Sequence, residues 1–497
     1  MMMITHPDDE RFMHDPLVQA VMEMPKYRHL HDVLDEVFRD PQVRLSLRHD
    51  WIAAESQAAW NGRPAVPLVV GGCLIVVRRL MGWSYRTTME QVAGSLAWRW
   101  VCQMYYRGVP DFRTLQEREA KLSAGTVRLI NTRVVALAQR LGLTDGQKMR
   151  LDSSVTESDI HYPTDSSLLN DAARVISRLL RRAGKVLPDA YHENKAWFRD
   201  RHRSARRLAR RISQLNVQLA RRLKTLKTAG KSDPPAQSSQ LSHLYRQLIG
   251  VVEALLEQAH QVCTRLAQSP ALLAFRLHAA LDAYLPLVQA VVDQTRQRVL
   301  HGLKVPAQDK LVSLFEPHTS ILCRGKAKPH ETEFGHKVWF VEIDGGFISE
   351  YRVLDGNPPD AQFVIPSLKS HRRHFHSVPR LLCGDRGLFS PANEQQARAL
   401  GVRHVSLPQP GRPSPRRRRF EHQRWFRAAQ RFRSGIEGRI SQLRRARRLN
   451  RCLNHGWSGF ERWVGWGVIA NNVAGIVNTL TRRHTSVAKR LAAVSGR

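Results

Sequence analysis

An interrupted strand pattern constrains this chain more than anything else in it. In QKMRLDSSV, residues 147–155, Met149, Leu151, Ser153 and Val155 alternate with Arg150, Asp152 and Ser154, the period of two expected of a strand. Strand signals resume only at HKVWFVEID and FISEYRVLD, which Asp344, Gly345 and Gly346 join as a tight hairpin, with Asp344 read as a turn residue. Between them, from Ser167 to about Val305, the periodicity is helical. Leu208, Ile212, Leu215, Leu219, Leu223 and Leu226 recur at threes and fours, and Leu241, Leu244, Leu248 and Leu255 continue after the linker GKSDPPAQSSQ, as an antiparallel helical pair would. Beyond the hairpin, part of 360–376 reads as a helix disturbed by Pro366, and PRLLCGD as a short buried strand ending at Asp385. SPANEQQARALG then reads as a helix capped by Ser390 and stopped by Gly401, and VRHVSLP as one more strand. The order strand, helical insert, strand, strand, helix, strand, helix, strand predicts an α+β or α/β protein whose mixed sheet closes across an insertion.

Both ends read as helical. Before the first strand, SYRTTMEQVAGSLAWRWVCQMYY places Tyr85, Met89, Val92, Leu96 and Val101 at helical intervals, and the helices after PDF end at Gly142. This block is expected to be a scaffold, with a helix-turn-helix-like DNA reader as the sharper alternative. From Glu421 onward, Trp425, Phe432, Ile436, Ile440 and Leu443 form an apolar stripe. The expected division is a helical N-terminal domain over 1–145, first core strand and loop over 146–166, basic helical insertion over 167–305, rest of the core over 306–450 and a C-terminal helical region over 451–497.

Composition narrows the function. With 42% apolar and 24% charged residues in 497, the chain is neither disordered nor fibrous. Yet 78 Lys and Arg against 43 Asp and Glu leave a formal charge of +35, a self-repelling surface that a polyanion would neutralise. Residues 171–231 hold 18 basic against 4 acidic residues, and 401–462 hold 17 arginines against 3 glutamates. Arg416, Arg417, Arg418 and Arg419 are consecutive and expected to contact DNA phosphates, the alternative being a disordered basic linker, since Pro413 and Pro415 discourage structure. The six cysteines form no CxxC pair, which excludes a zinc knuckle or disulfide scaffold and fits a reducing cytoplasm. The acidic N-terminus does not read as an export signal, and the apolar run Ala65 to Val77 is shorter than the ~20 residues that span a bilayer, so no membrane is expected. Neither GGC at 71–73 nor DGG at 344–346 has the Walker pattern, and His374 and His376 lack a third zinc ligand. Trp425, Trp457, Trp463 and Trp466 are expected in the core rather than stacked on bases.

Three acids fall where this strand order would gather them: Asp152 on the first strand, Asp385 just after a later central strand, and Glu437 on the helix after the sheet. Carboxylates so placed can hold two hard cations about 3.5–4 Å apart, the arrangement for in-line phosphodiester chemistry. Singly, each could be a strand-edge residue, a turn residue of GDRG or a surface ion-pair partner. Arg433 and Arg444 lie on the same helix stripe as Glu437 and could hold scissile phosphates. Glu157, Asp159 and Asp165 are rival first acids.

Taken together and in order, SYRTTMEQVAGSLAWRW, PDFRTLQ, RLDSSVTESDIHYPTDSSLL, SLFEPHTSILCRGKAKPHETEFGHKV, LLCGDRGLFSPAN, RSGIEGRISQLRR and GWGVIANNVAGI resemble the DDE transposases of bacterial insertion sequences, of the ISNCY-like kind. The resemblance covers most of the chain and implies an RNase H-like core with Asp152, Asp385 and Glu437 as catalytic acids and metal ligands. In such transposases a Tyr, Arg, Glu, Lys signature marks the glutamate helix. Here Arg433 and Glu437 match, Arg444 stands in the Lys place and Gln430 in the Tyr place, so the tyrosine's DNA-handling role is not carried over and the charge at the Lys place has a different geometry. The implied activity is cleavage of the element's ends and joining of their 3′-hydroxyls to target DNA with two Mg2+ ions, Mn2+ being able to substitute. The implied partners are double-stranded DNA, at terminal inverted repeats and target, and a second copy of the chain in the DNA complex; the implied location is cytoplasmic and nucleoid-associated. The alternatives are a metal-dependent nuclease without strand transfer and a non-catalytic DNA-binding protein.

Overall fold

The computed structural model describes residues 7–52, 66–228, 236–323 and 332–495. Linker residues 230–235 and the RGKAKPHE segment, 324–331, lie outside these. The chain divides into two compact units, residues 1–158 with 336–497, and residues 159–335.

In the first unit, nine described helices precede the sheet: α1 (Pro7–Met13), α2 (Pro16–Met22), α3 (Pro25–Arg39), α4 (Pro41–Ile52), α5 (Leu68–Met81), α6 (Tyr85–Ala93), α7 (Leu96–Val101), α8 (Phe112–Lys121) and α9 (Ala124–Arg140). Their starts are written locally, since Ser84, Ser95, Asp111 and Ser123 each cap a helix by accepting a hydrogen bond from an amide in its first turn. The apolar α5 is almost wholly buried, and a side chain at Gly71 or Gly72 would run into the rings of Trp51 or Phe38. No single helix among the described residues is long and apolar enough to cross a membrane.

Among the described residues seven strands form one mixed sheet: β1 (Lys148–Ser158), β2 (Ser320–Cys323), β3 (Thr332–Ile343), β4 (Phe347–Leu354), β5 (Leu381–Cys383), β6 (His404–Ser406) and β7 (Arg451–Cys452). The path runs β3-β1-β5-β6, with β4 antiparallel on β3, β5 parallel to β1, β6 parallel to β5 and β7 parallel to the end of β1. The β3–β4 hairpin turns through Asp344–Gly346, where Gly345 and Gly346 take φ of 76° and 82°. Helices α15 (Val364–Phe375) and α16 (Pro391–Ala399) belong to this unit, as do α17 (Pro415–Glu421), α18 (Arg424–Ala446) and α19 (Gly456–Ser495). Met149, Leu151, Trp339 and Val341 pack with Leu368 and Ala397 on one side of the sheet, whereas Val338, Phe340 and Ile348 pack with Leu443, Phe460 and Val464 on the other. Trp463 and Trp466 are core residues, at 3% and 0% exposure.

Two expectations change. Pro366 does not disturb its helix, because it is the third residue of α15, where the missing N–H had no intrahelical partner to lose. Pro413 and Pro415 do not leave a linker either: Ser414 caps α17 by accepting from the Arg417 amide, and Pro415 occupies the first helical position.

The second unit contains more than a helical pair. Helices α10 (Asp165–Val186), α11 (Pro188–Glu193), α12 (His202–Thr228), α13 (Ala236–Ala267) and α14 (Leu272–Thr295) share one core that includes Leu180, Leu208, Ile212, Leu248, Leu255, Leu281 and Val288. Arg206, Arg207, Arg210 and Arg211 stand exposed on α12. The short β2 pairs antiparallel with the first residues of β3, Ser320 opposite Gly335 and Cys323 opposite Thr332.

Candidate active site

β1 presents Met149 and Leu151 to one core and Arg150 and Asp152 to the opposite face. Its parallel register with β5 pairs Arg150 with Cys383; Asp152 stands two residues further along β1, and Asp385 two residues further on, just past the end of β5. Adjacent strands lie ~4.8 Å apart, the scale on which two carboxylates can share a cation.

Over that face lies α18. Its buried residues Phe426, Ala429, Ile436 and Leu443 are three and seven apart, one stripe of the helix. Gln430 fixes the helix against the strand ends, its amide donating to the Ser406 carbonyl at 3.0 Å, the Ser406 hydroxyl at 2.9 Å and the Gly384 carbonyl at 3.4 Å. One turn on, the Arg433 guanidinium reaches Asp152 at 3.2 Å and Glu437 at 2.8 Å. Asp152 and Arg433 are largely buried, while the Glu437 side chain is 63% exposed. Asp385 has one buried carboxylate oxygen, Oδ1, with no hydrogen-bond partner among the described residues.

Sequence reasoning missed the support beneath these acids. Arg150 donates to Glu342, which is fully buried, at 2.9 Å and 2.6 Å, and also to the Phe432 carbonyl; Arg439 adds a contact to Glu342 at 3.4 Å. Gly435 is the signal that could have revealed it: any side chain there would strike the Arg150 guanidinium, and a glycine inside a helix asks for a packing reason.

Of the rival first acids, Glu157 belongs to the first unit and Asp159 and Asp165 to the second. Asp165 pairs with Arg298 at 2.8 Å inside the helical unit, and burial raises its pKa. Glu157, at the end of β1, faces Arg451 of β7 at 3.2 Å, and Asp159 begins the second unit. Asp344 stands in the turn, and its carboxylate holds the segment leading into β1: although burial alone would raise its pKa, hydrogen bonds from the Lys148 and Asp145 amides and the Thr144 hydroxyl lower it.

Of the arginine run, Arg416, Arg418 and Arg419 are exposed, and a cavity of about 410 Å3 is lined by Pro415, Arg418, Arg419, His422 and Gln423. Arg417 instead points inward, donating to Glu421 at 2.7 Å, Glu394 at 2.6 Å and the Leu407 carbonyl at 2.6 Å, which corrects the expectation that all four meet DNA. Arg444, half-buried, lies seven residues after Glu437 on the same helix. Among the described residues, no three His, Cys, Asp or Glu side chains already converge as a metal cluster. The donor set nonetheless suits a hard divalent cation, being carboxylate oxygen with one buried oxygen still unpartnered.

No curated protein and no solved structure matches the chain. Residues 25–119 match the family described as Transposase domain (DUF772), which supports a transposase role for the protein.

Proposed function

We propose that the protein is a DDE transposase with an RNase H-like core, which cleaves the ends of its element and joins their 3′-hydroxyls to target DNA. The observation that supports this reading is the Arg433 guanidinium bridging Asp152 and Glu437, with the register that pairs Arg150 with Cys383 two residues before Asp152 and Asp385. The strand order β4-β3-β1-β5-β6, with an antiparallel hairpin followed by parallel strands, supports the core assignment.

Asp152, Asp385 and Glu437 would hold two Mg2+ ions, or Mn2+ in their place, which supply activation of water or a 3′-hydroxyl and stabilisation of the leaving oxygen. The chain's residues do the rest. Arg433 keeps Asp152 and Glu437 in one place before metal and DNA arrive, and its guanidinium can turn to a phosphate oxygen when they do. Gln430 fills the position of the family's tyrosine but is engaged with the strand ends, so it anchors the helix rather than handling DNA. Arg444, Arg416, Arg418 and Arg419 extend positive charge along the path of the strand. Joining two ends requires a second copy in the DNA complex. Isothermal titration with Mn2+ tests the acids directly: wild type binds, and Asp152→Asn with Asp385→Asn does not; equal binding would remove the metal assignment.

A further inference from the structure

Within the first unit, a cavity of about 440 Å3 is lined by Arg78, Arg79, Arg447, Arg448 and Arg462, with Glu119 as the one lining acid. Arg78 and Arg79 end α5 and are only 5% and 4% exposed. Arg78 gives one nitrogen to both Glu119 oxygens, at 2.7 Å and 2.6 Å, and lies over the Tyr85 ring at 4.1 Å. Arg79 lies over the Trp463 ring at 3.8 Å and donates to the carbonyls of Arg447 at 3.1 Å and Trp463 at 2.9 Å. Arg447 and Arg462 each donate to one carbonyl, of Leu80 at 2.7 Å and Leu122 at 3.1 Å. The Nε–H groups of Arg78, Arg79, Arg447 and Arg462 are buried without an acceptor among the described residues.

Five guanidinium groups against one carboxylate is a cation cluster lacking an anion, and buried charged donors are costly to leave unsatisfied. Burial, with Arg78 adding to it, lowers the Arg79 pKa to about 9, and burial lowers Arg447 and Arg462 as well. A multi-oxygen anion suits a cavity that arginines of α5, of the segment around Arg447 and of α19 line together, and among such anions phosphate matches guanidinium geometry. We propose that this cavity is a phosphate-binding site and that a backbone phosphate of DNA fills it. The choice of DNA over free phosphate rests on the transposase reading, on the +35 charge and on Arg78 and Arg79 lying inside the matched residues 25–119.

The test measures binding of a labelled DNA duplex across a salt series, together with the melting temperature in inorganic phosphate at matched ionic strength, for wild type, Arg462→Gln and Arg462→Lys. Arg462→Gln is expected to bind duplexes of any sequence about tenfold more weakly, with a salt slope smaller by about 1, and to lose stabilisation by phosphate, while Arg462→Lys recovers most of both. If Arg462→Gln, shown folded by near-ultraviolet circular dichroism, keeps the wild-type salt slope and phosphate response, the site is overturned. Loss of the phosphate response alone overturns the DNA occupant in favour of a free phosphate. An Asp385→Ala control separates the two readings, since it loses DNA cleavage without changing either binding measurement; cleavage by Asp385→Ala would count against the catalytic assignment and leave the cavity intact.

Discussion

Neighbouring arginines in one run do opposite jobs. Arg417 makes three inward hydrogen bonds, two of them to carboxylates, while Arg418 and Arg419 face solvent beside it. Arg417→Ala is expected to lower stability by about 1–3 kcal/mol in urea unfolding, because partly buried Glu394 and Glu421 each lose a guanidinium partner, keeping Arg398 and the Gln409 amide respectively. Replacing Arg418 and Arg419 together leaves the urea midpoint unchanged but reduces the salt slope of DNA binding by about 2. Asp385 is the reverse case. With one oxygen buried and unpartnered, Asp385→Asn is expected to keep or raise the melting temperature while abolishing activity, the signature of a residue retained for chemistry rather than stability. A pH effect belongs to this scale too. Burial holds the His371 imidazole down to about 4, against the opposing pull of Asp344, whereas an unfolded imidazole titrates near ~6.5. The unfolded chain therefore takes a proton that the folded chain refuses, so this contribution, up to about 3 kcal/mol, is fully present above pH ~6.5 and is lost as pH falls toward 4. Urea unfolding at two pH values should show a shallower slope for His371→Gln than for wild type; equal slopes would exclude His371 as the source.

Elements whose signals are local were legible in the sequence, and those fixed by distant partners were not. Ser390 caps α16 through the Asn393 amide and Gly401 follows its end at φ 102°, both written within a dozen residues. The DGG hairpin is the same kind of signal. The strand through Asp152 was readable from its alternation, yet its last residues, Thr156 to Ser158, were not, because what extends β1 is its pairing with Arg451 and Cys452 nearly three hundred residues away. Nor could spacing alone show that Arg150 pairs with Cys383, on which the neighbourhood of Asp152 and Asp385 depends. The ion cluster of Arg150, Glu342 and Arg439 joins three separate elements and left only Gly435 as a trace. Gly435→Ala is accordingly a sharp test of how α18 sits. Alanine improves helix propensity by about 1 kcal/mol, so a neutral position would gain stability. The packing against Arg150 predicts instead a loss of stability and at least a tenfold loss of DNA cleavage, measured on the same preparation.

At the scale of the first unit, the two ends of the chain share one core. Trp466, Ile469 and Val473 of α19 pack with Leu34, Phe38 and Leu74 of α3 and α5. The GWGVIANNVAGI segment carries the stitch: Asn472 accepts from the Ile348 amide at 2.9 Å and donates to the Ile348 carbonyl and Asn131 at 2.9 Å each. Helices on either side of the sheet sequence are thereby fastened to β4, which lies in the sheet that carries Asp152 and Asp385. On the proposed function the charge of +35 would attract DNA without specifying sequence, so the three acids, not binding, distinguish a transposase. The most direct measurement is excision and reinsertion of a marked DNA segment bounded by the DNA that flanks the gene on either side. It compares wild type with Asp385→Ala and with magnesium withheld. Joined products are expected from wild type with magnesium and none from either control, while both controls still bind DNA. Joined products from Asp385→Ala, or a wild type that binds but never cuts, would contradict the three-acid assignment.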